Sequence, residues 1–433
     1  MSESVTPFPR PIRAVPDPMG LYLRAGHNDH RQLSNLLLSG SQKIFGAVID
    51  ATASEKHKEL RDQLAKSKLD IILDPRTQPA ATQGGFKPAL AQLPWGNERP
   101  QILDDFRSLL GRQKVIKLAE YVAANNFTQV MAPTHVIASP NDPWLAVDIE
   151  AIQWLRFELD RRGGKKIPII YSLALAYSVY IDPEQRAAVR AAFRDRPFAS
   201  LWLKIDGFGA SANPTATSKY LDAAVDFHDL GVPLVADHVG GIPALSLLAF
   251  GAVGGIAHGI TSNESFSSYS WRKPQEPGGG KGGWRVYIPS LDLLLSRADA
   301  EMLLNSSSRA KAMFANRNMH ACPRGVDDML DNPVRAFVVQ RAEEIAAIGA
   351  VPPSMRPQVF LDSHVRPATD RALAATKIDW GENEAGLKLG KKLAAHRKRI
   401  DDLRIALGAR AHQAPPVSFA LQPSTRLARE AVI

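Results

Sequence analysis

Cysteine is nearly absent: the 433-residue chain has one, Cys322. No intrachain disulfide can form, so the fold must be held by its core, and such sparse thiol usage fits a reducing compartment. Long apolar runs are scarce as well. The uncharged stretch 241–257 falls short of the ~20 residues that span a bilayer, and Pro243 and several glycines interrupt it. It reads as a buried helix followed by a buried strand. The N-terminus has no basic-then-apolar leader pattern, and its prolines make residues 1–20 an expected extended arm. These features point to a cytoplasmic protein with no membrane partner. Phosphate-cradling motifs are missing too. Neither G-x-G-x-x-G nor G-x-x-x-x-G-K-[ST] follows the first strand-like run, and the GGGKGG tract at 278–283 has the wrong glycine spacing, so it reads as a flexible linker.

What is present is an ordinary globular composition, 45% hydrophobic and 22% charged, long enough to bury a large core. Eight short β-prone runs recur: 21–25, 44–49, 70–73, 128–132, 167–172, 200–205, 232–236 and 254–257. Each is largely apolar on both faces, as a strand between a barrel interior and a helical ring must be. Helical spacing fills the gaps at 56–67, 102–126 and 148–163 and in the stretches that follow. The alternation predicts an α/β fold, a (β/α)8 TIM-type barrel over 21–310, with a doubly wound open sheet as the alternative. Residues 288–304 are expected to supply the eighth helix. A helical, basic C-terminal extension over 311–433 follows, with a clear helix at 332–350 and a loosely ordered tail from 412.

Polar and ionisable residues follow the strand-like runs. His27, Asp50, Asp74, Arg76, His135, Lys204, Asp206, Asp237, His238, His258 and Glu264 all fall at or just past strand ends, where the βα loops of a barrel build one mouth. The expected catalytic set is Asp50, Asp74, Arg76, Lys204, Asp206, Asp237 and His238. His27, His135, Gly240, Gly241, His258 and Glu264 are expected to bind substrate. Crowded carboxylates with histidines suit acid–base chemistry, and they are also donors for a divalent metal, so both routes stay open. The ligand pattern of metal-dependent amidohydrolase barrels is not matched: His27-Asn28-Asp29-His30 replaces two histidines one residue apart, and Ser172 stands where the fifth strand would carry histidine. Gly240-Gly241, after the seventh strand, suit a backbone phosphate site at a helix N-terminus, with charge from Arg76, Lys204 or Arg24. Two long loops, 75–101 and 264–285, are candidate lids, the first with no clear helix in it. Cys322 beside His320 reads as inert.

The net charge of +9 concentrates in 388–410, where lysines and arginines far outnumber two aspartates. Two functions therefore stand. The first is a hydrolase or lyase acting on a small anionic substrate, phosphate-bearing compounds included, by Asp/His acid–base chemistry. The second is a nucleic-acid-associated protein, either a modifying barrel or a binder using the basic C-terminal helix.

Overall fold

A computed structural model describes residues 19–40, 43–107, 109–272, 283–413 and 415–421. The eight expected runs are all strands: β1 (Gly20–Ala25), β2 (Gly46–Asp50), β3 (Asp70–Asp74), β4 (Gln129–Met131), then β6 (Ile169–Leu175), β7 (Ser200–Ile205), β8 (Leu234–Asp237) and β9 (Gly255–Gly259). The short β5 (Val136–Ile137) prolongs the fourth position beside β6. All pairings among them are parallel. Strand β1 joins β2 on one side and β9 on the other, and β4 joins β6, which closes the sheet into an eight-stranded barrel. The open-sheet alternative is excluded by that closure.

Strand alternation sorts side chains between two cores. Inside the barrel lie Tyr22, Val48, Ile72, Met131, Ile170, Trp202, Val235 and Ala257. Outside, the strands' other residues merge with the helical ring in one continuous core. Helices His30–Leu38, Lys58–Lys66, Leu109–Ala124, Pro143–Arg161, Pro183–Ala191, Pro214–Val225 and Gly241–Ala249 fill seven positions of the ring. The stretch 241–257 is thus helix then strand, as expected. Among the described residues no helix is long and apolar enough to cross a membrane.

Three expectations are corrected. Residues 288–304 do not supply the eighth helix. They take part in a β-hairpin, β10 (Val286–Ile288) with β11 (Leu293–Leu295), and in the helix Arg297–Asn305. The eighth place is taken by Pro333–Gly349, which packs against β1 and against the helices His30–Leu38 and Gly241–Ala249. The tail is not loose throughout: residues 415–421 run across the base of the barrel, and Leu421 is buried in the inner core. Gly20 and Gly255 make room for it, since a Cβ on either would lie 2.5 or 2.8 Å from the Leu421 Cδ2. The loop 75–101, read as lacking helix, contains helical turns at Thr77–Ala81 and Pro88–Ala91. Residues 1–18, 273–282 and 422–433, including most of the GGGKGG tract, lie outside the described residues.

Candidate active site

The charged cluster in the barrel mouth follows from the same alternation. Two residues beyond inward Tyr22 comes Arg24. In the same way Asp74 follows Ile72, Lys204 follows Trp202, and Asp237 follows Val235. Each strand is apolar in the middle and ionisable at its carboxyl end, so closure brings the four groups together.

Arg24 organises the cluster. Its Nε and Nη2 donate to the two carboxylate oxygens of Asp237, both at 2.6 Å, and its Nη1 donates to Asp74 Oδ2 at 2.8 Å. A planar guanidinium suits this bidentate grip. The positive field of Arg24, joined by Arg76 and Lys204, overcomes burial and holds the Asp74 carboxyl well below its usual range. Asp74 is therefore an anion, and both carboxylates turn toward Arg24.

Lys204 is 2% exposed. Its Nζ donates to the Gln78 amide oxygen at 2.9 Å and lies 4.7 Å from the centre of the Phe266 ring. Burial and Arg24 push its pKa down to about 8, while Asp237 and Asp74 pull the other way. Gln78 is fixed from its other end by the Thr134 hydroxyl at 3.0 Å and the Ser172 carbonyl at 3.1 Å. His238 has a left-handed backbone, φ +60°, and its N–H donates to Ala257 O at 2.7 Å. Its Nε2 is buried without a hydrogen-bond partner among the described residues. Burial, with Arg24 and Lys204 nearby, keeps the ring neutral.

Other residues of the expected set take different places. Asp50 and Arg76 pair at the rim, 3.0 Å apart, and Asp50 also accepts from the Thr52 N–H and hydroxyl. The His27 ring is exposed. Asp206 anchors the 264–272 loop by accepting from the Ser268 N–H at 2.9 Å and from the Ser268 hydroxyl. His135 is turned into the helical layer, where its Nδ1 meets Asp148 at 2.6 Å and its ring stacks on Trp144. His258 faces outward toward Phe337, with Nδ1 on the Gly259 carbonyl at 2.8 Å. Neither His135 nor His258 reaches the mouth, because each occupies an outward position of its strand or loop.

The phosphate site expected at Gly240-Gly241 is filled by the protein itself. Asp292 Oδ2 accepts from the Ile242 N–H at the start of the helix Gly241–Ala249, taking the place an external anion would occupy. Glu264 lies against Gly240, where an added Cβ would fall 2.1 Å from its Oε1. The glycines are needed for this inward packing: Gly241 has φ +63°.

The first expected lid and residues 264–272 of the second are parts of the mouth. Trp95 Nε1 donates to Pro75 O at 2.9 Å, and Arg99 pairs with Asp105 at 2.8 Å, tying down the first loop. In the second, Gly207 N donates to Phe266 O at 2.9 Å and Ala210 N to Glu264 O at 2.8 Å. The two loops meet where Gly84 faces Trp271: a Cβ there would lie 2.4 Å from the Trp271 carbonyl oxygen. Among the described residues no group of three or more His, Cys, Asp or Glu side chains is arranged to hold a metal ion. Cys322 is buried and its thiol is pushed up to about 12, in keeping with an inert role.

Sequence reasoning left Gln78 and Phe266 out of the site. Gln78 carries no signal of its own, because the left-handed Arg76 turn places it. Arg24 was read as a charge donor, and its position two residues after an inward aromatic is the signal for its larger part.

No family model and no curated protein matches this chain. Among solved structures it is similar to 3-dehydroquinate dehydratase from Enterococcus faecalis, at 10% identity and a TM-score of 0.33, over 59% of this chain and 92% of that one. It is also similar to the Clostridium thermocellum endo-1,4-beta-D-xylanase 10B CBM22-1–GH10 modules complexed with xylohexaose, at 8% identity and a TM-score of 0.37, over 62% and 67%. Likenesses this weak carry nothing about substrate or chemistry. The class of protein is defined by its own strand pairing: a closed, parallel (β/α)8 barrel with added C-terminal helices.

Proposed function

We propose that this barrel is an enzyme, a lyase or hydrolase, whose reaction takes place at the mouth among Arg24, Asp74, Lys204, Asp237 and His238, on a small anionic substrate. One observation supports this most: two cations and two carboxylates are sealed in the carboxyl end of the barrel. Apolar residues of like volume would fill that space at less cost, since desolvating charges costs several kcal/mol per ion. Buried groups with shifted pKa values, beside a lysine and a histidine outside any ion pair, are a mark of functional sites. His238, neutral and without a partner at Nε2, is the proton acceptor in this reading. Arg24 and Lys204 are the groups that attract an anion, and Asp74 and Asp237 set their orientation. The loop 264–272 swings away to admit substrate, with Phe266 as its plug. A phosphate group is not favoured at Gly240-Gly241, where Asp292 already sits. A library of small carboxylates and phosphate esters tests the reading: wild-type protein should be stabilised thermally by a hit, and Asp237→Asn should abolish the shift. Hits that stabilise both proteins equally would remove the mouth from consideration.

The nucleic-acid reading keeps a smaller basis. The helix Glu384–Arg410 buries Leu389, Leu393, Ile400, Leu403 and Leu407 against the rest of the protein. Lys392 pairs with Asp299, Arg404 with Asp401, and Arg410 with Asp222. Lys391, Arg397 and Lys398 are exposed, and no ion pair engages them among the described residues. They are the residues through which a polyanion would bind.

A further inference from the structure

A buried lysine that serves only to balance charge is expected to touch a carboxylate. Lys204 does not. Among the described residues no acidic oxygen lies within 4 Å of its Nζ, because Arg24 has taken both Asp74 and Asp237. Its hydrogen-bond acceptor is the neutral amide oxygen of Gln78, and an aromatic face covers it. The ammonium is held by one neutral acceptor and one aromatic face, less than an ion pair would give it, and the neutral amine can keep the bond to Gln78 as well. At neutral pH an appreciable share of Lys204 carries a free lone pair, since its pKa falls to about 8. An amine in this state is a nucleophile for carbonyl carbon. The Phe266 ring touches both Lys204 and, at 6.0 Å between centroids, His238, so amine and imidazole share one enclosure under the same plug.

Resting on the mouth being the active site, we infer that Lys204 is a covalent catalyst that forms an imine with an aldehyde, ketone or 2-oxo acid. The amine lone pair attacks the carbonyl carbon, and the C=O π pair moves to oxygen. Nitrogen then loses a proton and oxygen gains one, giving a carbinolamine. A second proton converts the hydroxyl to a leaving water, and the nitrogen lone pair completes the C=N bond. The carbonyl oxygen departs as water, and no oxidant or reductant is required. His238 Nε2 carries the proton from nitrogen to oxygen, giving the carbinolamine, and then relays a second proton, taken up from solvent, to the departing hydroxyl. Arg24, whose charge opposes protonation of Lys204, is a positioning residue in this step. The resulting iminium withdraws electrons from the adjacent carbon, which is what a lyase acting beside a carbonyl needs.

Borohydride trapping tests this. Full-length protein is incubated with pyruvate, glyoxylate or glyceraldehyde, reduced with sodium borohydride, digested and mapped by mass spectrometry. Near pH 7.5 the neutral fraction of a lysine with pKa about 8 is roughly 10²-fold that of an exposed lysine with pKa ~10.4, so the adduct should concentrate on Lys204. Phe266→Ala should increase it by opening the plug, and Lys204→Met should remove it. Mapping the wild-type adduct keeps the test valid even if a variant folds poorly. Adducts spread over surface lysines, or none at Lys204 in wild type and Phe266→Ala alike, would overturn the imine. If no adduct forms but an oxo acid still stabilises wild type and not Asp237→Asn, the mouth stands as the site and the imine alone fails. If neither signal is seen, both fail.

Discussion

Two buried arginines invite comparison. Arg24, in the barrel mouth, grips Asp237 and Asp74. Arg341, on the eighth ring helix, grips Asp292 at 2.9 Å and Glu344 at 3.1 Å. The clusters differ in what surrounds the pairs. Asp292 also accepts from the Tyr287 hydroxyl at 2.8 Å and caps the helix Gly241–Ala249. Arg341 stacks over Tyr287 and Phe337. That network is a strut, fastening the C-terminal helices to the seventh strand–helix unit. In the mouth, Lys204 and His238 remain as ionisable groups without a charged partner. In the strut the ion pairs tie separate elements together; in the mouth an amine and an imidazole lie beside the ion pairs and outside them.

The comparison breaks first at Arg341. Replacement by Leu leaves Asp292 and Glu344 buried without their cation, and about 3–5 kcal/mol of stability should be lost. Urea unfolding measures it, and a loss near zero would end the description of this cluster as a strut.

Glu264 sharpens the contrast, because it faces Arg341 while its loop covers the mouth. Burial pushes its carboxyl up to about 7, with Asp292 and Glu344 adding to the rise and Arg341 opposing it. The native state therefore holds a proton that the unfolded chain releases at a lower pH. This group's stabilising contribution is complete below about pH 4.5 and is lost as pH rises toward about 7. Glu264→Gln should flatten the fall in stability across that window, by at most about 1.4 kcal/mol per pH unit. Parallel pH profiles for wild type and variant would show instead that the carboxyl titrates normally.

At Lys204 the expected effect on stability is small and of opposite meaning. Lys204→Met removes a buried amine that has no ion pair, so stability should stay within about 1.5 kcal/mol or rise, while borohydride trapping disappears. A loss as large as that for Arg341→Leu would make Lys204 a structural residue like those of the strut.

The surface cations give the smallest effect. Lys391→Glu with Lys398→Glu should change stability by less than about 0.5 kcal/mol each. If this face binds nucleic acid, the slope of log affinity against log salt should shrink by about one for each phosphate contact removed. Identical slopes would leave the helix only a packing role.

Much of the barrel was legible because its signals are local. Runs such as 44–49 and 200–205 are β-prone and largely apolar on both faces whatever lies far away, and so read as strands. Two-residue alternation also marks Arg24, Asp74, Lys204 and Asp237 as inward-facing once their strands are known. His258 was misplaced because a one-residue change of register exchanges barrel interior for helical layer. What depended on distant partners could not be read. That Arg24 meets Asp237, 213 positions away, and not Lys204's side of the mouth, follows from which strands close the barrel. That Asp292 fills the helix N-terminus at Ile242, and Leu421 the barrel base, follows from how the C-terminal segments dock. Local periodicity determines which elements form and which faces they bury; only tertiary closure decides which charges neutralise one another, and so which amine is left uncommitted.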